Sequence, residues 1–370
     1  MIYFNKPFFH EKCLQYIQDT SHHQSGDGKY SRLLYTLLKD RYKFPYTLLT
    51  TNCTHALEMM GMIVNIQPGD EIIIPSYTFV STANAFVRLG AKVVLVDSCP
   101  HHPTMDIERI PSLVTEKTRA VCIVHYAGVS CDMDRLQEIC QTHNLFLFED
   151  AAQAIHSYYR GRPLGTFGVM SAFSFHETKN VNCGEGGLLV INDDQYVEEA
   201  EIIREKGTNR SQFTNKIISK YEWVGVGSSY LLSDINAAYL YYQFLHMEEL
   251  FHHRKNLWLT YEKYLHQHNP EGNYHIYYVL CDSPSTLKEF LSRHGIMTAT
   301  HYIPLHQSSY YCTHYQEIEL PCSEFFSNHL LRLPLYHDLT IAEVEHICKV
   351  ILTSDMRLYI PTPHQGLLSP

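Results

Sequence analysis

Between residues 50 and 194 short apolar runs alternate with segments of helical periodicity. The runs EIIIP (71–75), KVVLV (92–96), AVCIVH (120–125), LFLFE (145–149), SAFSF (171–175) and GLLVI (187–191) are almost continuously apolar. That pattern predicts strands buried on both faces, as in a mostly parallel sheet covered by helices. Helical segments are predicted between them over 54–65, 81–89 and 133–142, the last behind Asp132 as an N-cap. From 233 to 266 the periodicity is helical, and the cluster Asn269-Pro270-Glu271-Gly272 ends it as a turn and a domain boundary. Strands over 274–280 and around 297–302, with helices over 285–294 and near 341–353, then predict a small mixed unit. The expected organisation is α/β: a large domain over 1–265 that includes an N-terminal segment, a small α+β domain over 266–355, and a disordered tail over 356–370.

The composition narrows the classes of function. A chain of 370 residues has room for more than one core. Its 39 acidic and 29 basic residues give a formal charge of -10, which supplies no basic footprint for nucleic acid or an anionic membrane. No apolar run approaches the roughly 18 residues of a membrane span, and the first ten residues are too short and mixed for a signal peptide, so a cytoplasmic location is expected. Eleven cysteines without a C-x-x-C pair suggest buried thiols rather than a disulfide framework or a zinc knuckle. The 24 histidines include adjacent pairs, but neighbours on an extended chain point to opposite sides, and no metal site is expected.

Three features fall where an open α/β sheet places ligands, beyond the carboxyl ends of its strands. Thr50-Thr51-Asn52-Cys53-Thr54 opens a helix whose free amides could hold a phosphate, although any capped helix has this form. Asp150 directly follows the apolar strand in Glu149-Asp150-Ala151-Ala152-Gln153, where a carboxylate needs a partner to remain charged. A pyridinium nitrogen would serve as that partner; an ordinary helix N-cap is the plainer alternative. Lys179 stands in Ser174-Phe175-His176-Glu177-Thr178-Lys179-Asn180, after a strand and before Gly184-Glu185-Gly186-Gly187. That setting suits a desolvated Schiff-base lysine better than a solvated surface charge.

With the strings PGDEIIIPSYTFVSTANAF, VHYAGVSCDMD, REKGTNRSQF, GSSYLLSDINAAYL, HYIPLH and LLRLPL, these features resemble the DegT-type sugar aminotransferases, which are fold-type I pyridoxal-phosphate (PLP) enzymes. The resemblance implies that Lys179 binds PLP covalently, Asp150 pairs with its ring nitrogen, Gln153 contacts the ring or its 3-hydroxyl side, and Phe79 stacks on a ring face. It implies that the amides of Cys53 and Thr54 and the hydroxyl of Ser174 hold the 5′-phosphate. Ser229, in Gly227-Ser228-Ser229-Tyr230, would reach the phosphate of a homodimer partner, although many relatives have Asn there. Tyr302 and His306 would line the sugar pocket. Lys206 and Arg210 would clamp anionic groups or, more plainly, solvate a helix end.

The implied reaction moves an amino group from L-glutamate to C4 of a dTDP-4-keto-6-deoxyhexose, with Lys179 as proton carrier. The gluco or galacto configuration and transfer at C3 stay open, as does a PLP- or sugar-sensing regulator without turnover. A PLP-dependent dehydratase would carry His where Lys179 stands. An NAD-dependent epimerase would need an early Gly-x-Gly-x-x-Gly, which the chain lacks.

Overall fold

The computed structural model describes residues 1–270 and 272–359. Seven strands form the central sheet: Tyr46–Thr50 (β1), Glu71–Pro75 (β2), Lys92–Val96 (β3), Thr118–Val124 (β4), Phe146–Asp150 (β5), Met170–Ser174 (β6) and Gly187–Ile191 (β7). Their spatial order is β1-β7-β6-β5-β4-β2-β3, and only β7 runs against the others. The fold is therefore the expected α/β class with a mostly parallel sheet.

The unbroken apolar runs follow from the two faces of this sheet. Leu49, Ile73, Val121, Ile123, Leu147, Phe173, Leu188 and Val190 enter one core with Leu34, Leu38, Leu136 and Ala237 from helices Lys29–Tyr42, Met133–Thr142 and Asp234–Leu245. Their neighbours in sequence, including Leu48, Ile72, Ile74, Ala120, Cys122, Phe148, Ala172 and Leu189, enter a second core beneath helices Cys53–Ile63, Val80–Val87 and Val197–Arg204. Successive strand residues point to opposite faces, so a sheet covered on both sides demands an apolar residue at nearly every position.

A smaller antiparallel sheet combines Tyr278–Cys281 (β8), Ala299–Thr300 (β9), Leu330–Arg332 (β10) and Leu358–Tyr359 (β11) in the order β9-β10-β8-β11. Strand β11 lies inside the segment 356–370 expected to be disordered. Its pairing of Leu280 with Tyr359 and Cys281 with Leu358 gives an edge of β8 a partner, which corrects that expectation at 358–359; residues 360–370 lie outside the described residues. The expected boundary at 265 also divides one core: Ile2 and the helix residues Leu257, Trp258, Tyr261 and Leu265 pack with Tyr277, Val279, Leu331 and Ile347. The long helical stretch is two helices, Asp234–Leu245 and Met247–Leu265, meeting at His246.

Candidate active site

Five parallel strands end at Thr50, Pro75, Val124, Asp150 and Ser174, and the segments that follow them converge on one cavity of about 680 Å³. It is lined from this side by Asn52, Cys53, Thr54, Thr78, Phe79, Ser81, Asp150, Gln153, Ser174 and Lys179. His275, His301, Tyr302 and Arg332, from the smaller sheet and its connections, form the opposite wall.

Asp150 terminates β5 in a buried position, where Thr82 Oγ1 donates to one carboxylate oxygen at 2.8 Å and the Ala152 amide to the other at 3.1 Å. Burial raises its pKa, while these donors and Lys179 favour the ionised form. Lys179 follows a tight turn after β6, in which its amide donates to the His176 carbonyl at 2.8 Å. Burial lowers the Lys179 pKa from its ordinary 10.5 to about 8; Cys53 and Asp150 pull upward, and the charge of Arg332 pushes further down. About a tenth of such an amine is neutral at pH 7, so a nucleophile and proton acceptor is available under physiological conditions.

The helix Cys53–Ile63 begins at the cavity, with the Asn52 side chain accepting from the His55 amide at 2.8 Å. The amides of Cys53 and Thr54 then have no acceptor among the described residues, and the helix dipole adds partial positive charge there. Gly187 sets how closely this helix start approaches the sheet: a Cβ at that position would lie 2.3 Å from the Asn52 carbonyl carbon and 2.6 Å from the Cys53 nitrogen. The thiol of Cys53 is buried and its pKa is pushed well up, so it stays protonated.

Gln153 is fixed at both ends of its amide. Its Oε1 accepts from the Ala127 amide at 2.7 Å, which orients Nε2 to donate to the Tyr302 hydroxyl at 3.2 Å. Phe79 leaves 58% of its surface exposed although it is apolar, and it lines the cavity. An exposed aromatic face is suited to stacking a flat ring.

The structure thus brings together Lys179, Asp150, Gln153, Ser174, Phe79, Cys53, Thr54 and Tyr302. It leaves four expected residues outside this cavity. His306 is buried between Ser76 Oγ at 2.7 Å and Glu324 Oε1 at 3.0 Å, as a satisfied core histidine. Lys206 and Arg210 both bind Glu205, at 2.7 and 3.0 Å, and Arg210 lines a separate cavity. Ser229 is exposed on a segment bridged to Glu205. Arg332, His301 and His275 were not singled out from the sequence. Two of them lie inside the quoted strings LLRLPL and HYIPLH, so the signal was present as motif but not as chemistry.

The donors fit PLP: an unclaimed pair of helix-start amides for its phosphate, a buried carboxylate that no guanidinium among the described residues pairs with for its ring nitrogen, an exposed aromatic face, and a lysine of depressed basicity. A cavity of this construction at the carboxyl ends of such a sheet defines a fold-type I PLP enzyme. Residues 9–352 match the DegT/DnrJ/EryC1/StrS aminotransferase family, and the chain belongs to that family of PLP-dependent sugar aminotransferases. The chain is similar to the Helicobacter pylori aminotransferase PseC, involved in the biosynthesis of pseudoaminic acid, at 25% identity and a TM-score of 0.88, over 95% of this chain and 98% of that one. Streptomyces venezuelae DesV, solved in complex with a ketimine intermediate, is similar at 27% identity and a TM-score of 0.87, over 95% and 97%. The Streptococcus pneumoniae sugar aminotransferase Spr1654 in its PLP form shares the fold at 24% identity and a TM-score of 0.86, over 95% and 97%. No helix among the described residues is long and apolar enough to cross a membrane.

Proposed function

We propose that the chain transfers the amino group of L-glutamate to C4 of a dTDP-4-keto-6-deoxyhexose, the activity of a dTDP-4-amino-4,6-dideoxygalactose transaminase. The observation that carries the site assignment is Lys179, its pKa lowered to about 8, facing a cavity shared with buried Asp150. PLP supplies an electron sink through which an amino group can leave one carbon and enter another. The chain's own residues do the rest. Lys179 would hold the cofactor and, as a free amine, would take up and return the proton at the reacting substrate carbon. Asp150, ionised through Thr82 and the Ala152 amide, keeps the ring nitrogen protonated. The Cys53 and Thr54 amides and the Ser174 hydroxyl bind the phosphate, Phe79 covers a ring face, and Gln153 with Tyr302 borders the acceptor. The C4 position and nucleotide rest on the resemblance of the long sequence strings. Borohydride reduction of the holoenzyme followed by peptide mapping should place the reduced cofactor on Lys179. Attachment to any other lysine would overturn the assignment. NMR of the product formed from dTDP-4-keto-6-deoxyglucose tests C4 and the galacto configuration.

The working unit in this reading is a cytoplasmic homodimer whose sites draw Ser229 from the partner. Between residues 213 and 226 the side chains of Phe213, Ile217, Tyr221, Trp223, Val224 and Val226 are all exposed, Trp223 by 79%. An apolar segment of this size favours cover by another protein surface, and eleven unpaired cysteines suit a reducing compartment. Mixing inactive Lys179→Ala with a bulky, inactive Ser229 variant should restore activity, up to about half the sites in each heterodimer. No recovery despite demonstrated subunit exchange would exclude the shared site.

A further inference from the structure

Two histidines line the cavity wall opposite the large sheet, and the fold uses them to different extents. His301 is engaged at both ring nitrogens: Nε2 accepts from the Arg332 guanidinium, and Nδ1 lies 3.2 Å from the Tyr126 hydroxyl. His275 is engaged at one. Its Nδ1 lies 2.9 Å from the side-chain oxygen of Asn180, and its Nε2 has no partner among the described residues.

The Asn180 amide decides which nitrogen of His275 carries the proton. Its Nδ2 donates to the Asn273 carbonyl at 2.8 Å, so its Oδ1 is the atom that faces the histidine. An amide oxygen only accepts, which puts the imidazole proton on Nδ1. Burial, followed by the charges of Lys179 and Arg332, pushes the His275 pKa well below its ordinary 6.5 and keeps the ring neutral. Nε2 is left as a lone pair that can accept and cannot donate. The support is stiff, because Asn273 Nδ2 donates to the carbonyls of Gln153 and Ile155, each at 2.8 Å, and ties this segment to the loop beyond Asp150.

The neighbouring polar groups have the opposite sense. Arg332 only donates, and it meets no carboxylate within ion-pair distance among the described residues. Tyr302 accepts from Gln153 Nε2 at 3.2 Å, burial pushes its pKa up to about 12, and its own proton has no acceptor among the described residues. A ligand that completes this wall must offer an acceptor to Tyr302 and a donor to His275. Carboxylate and phosphate oxygens only accept and do not suit His275. A carbonyl with a hydroxyl on the next carbon offers both.

We propose that His275, its tautomer fixed by Asn180, accepts a hydrogen bond from the hydroxyl beside the reacting carbonyl of the acceptor sugar. This rests on the aminotransferase reading of the cavity. The charge of Lys179 acts on His275, and the carbon that exchanges a proton with Lys179 must come to the same place, which brings the adjacent hydroxyl toward the imidazole. In a 4-keto-6-deoxyhexose that hydroxyl is the one on C3, because C5 carries the ring oxygen and the methyl group. His275 thereby selects sugars that keep the 3-hydroxyl.

Calorimetric titration of the PLP-loaded enzyme with dTDP-6-deoxyglucose, which has no ketone to aminate, with its 3-deoxy analogue and with dTDP tests this. The parent should bind the 3-hydroxy sugar roughly tenfold more tightly than the 3-deoxy sugar, the effect of one buried hydrogen bond. His275→Phe should remove the difference by weakening only the 3-hydroxy sugar, and should leave dTDP within about twofold, which also shows that the variant is folded. His275→Gln, which keeps an acceptor, should retain part of the difference. Asn180→Ala should reduce it; discrimination equal to the parent's would remove the orienting role. A parent that binds both sugars equally would overturn the proposal, as would His275→Phe discriminating like the parent. The rival partner for the lone pair is the ammonium group of Lys179. A His275→Phe variant that shifts the pH profile of PLP capture while keeping the sugar discrimination would assign the histidine to the lysine and overturn the proposal. If the discrimination depends on His275 but L-glutamate never changes the visible cofactor band of the parent, the hydroxyl contact stands and the aminotransferase reading falls.

Discussion

The two walls of the cavity are built differently. On the large-sheet side three polar side chains meet fixed partners: Asp150 has Thr82 and the Ala152 amide, Gln153 has the Ala127 amide and Tyr302, and Thr54 Oγ1 meets Ser81 Oγ at 2.8 Å. These groups sit on strand ends whose register is set by the backbone ladder. The opposite wall gathers His275, His301 and Arg332 from separate segments, with Tyr77, Tyr126 and Tyr302 packed around them. One wall carries its own countercharges and the other holds a cation that lacks one. A site that keeps one ligand and exchanges another would have this asymmetry: side chains held by fixed partners where the cofactor stays, and a cation without a countercharge where a charged substrate comes and goes.

Variants of the large-sheet wall should therefore disturb the cofactor itself. The largest effect is expected for Lys179→Ala, which should lose turnover by roughly 10³-fold or more, with the fold intact by circular dichroism. It should also retain no cofactor covalently after borohydride reduction, and covalent retention would break the assignment of this wall. Next, Asp150→Asn should still bind PLP but turn over roughly 10 to 150 times more slowly, the equivalent of about 1.5 to 3 kcal/mol for a lost charged hydrogen bond. Near-normal turnover would mean that the buried carboxylate is structural.

A smaller effect is expected at the helix start. Gly187→Ala would put a methyl group against the Asn52 and Cys53 backbone, destabilising the fold by about 1 to 3 kcal/mol through overpacking and weakening PLP affinity as the amides shift. Denaturant melting and cofactor titration check both; a lower midpoint with unchanged affinity would uncouple Gly187 from the phosphate site. The smallest concerns pH. The attacking amine must be neutral, and the Lys179 pKa is lowered to about 8. Capture of PLP by cofactor-free protein should therefore rise with pH and level off above about 8, gaining about fivefold between pH 7 and 8. A rise continuing toward the ordinary lysine value would show that this wall does not desolvate Lys179.

Much of the large-sheet wall was legible because its information is local. Strands over 71–75, 92–96 and 187–191 and the helix over 133–142 have the bounds that apolar runs and an N-cap indicate. Asp150 and Lys179 stand directly beyond such runs, so reading the strands locates the chemistry. The expected sheet begins near residue 50 and lacks Tyr46–Thr50, an edge strand whose antiparallel partner β7 lies far along the chain. The expected elements also lack helix Lys29–Tyr42, whose buried stripe of Tyr30, Leu34 and Leu38 is interrupted by charged positions.

What the sequence determined by itself is the α/β class, the strand ends and the lysine and aspartate placed there, because burial on both faces of a sheet imposes a pattern visible in a few neighbouring residues. Only the tertiary structure decided which polar side chains find partners. His306, beyond the Pro304 turn, is taken out of the cavity by Ser76 and Glu324. Arg332, beside Leu331 in a short strand, is distinguished by the carboxylate it does not meet. Whether a charge is balanced depends on chain segments brought close in space, and local sequence periodicity carries no record of them.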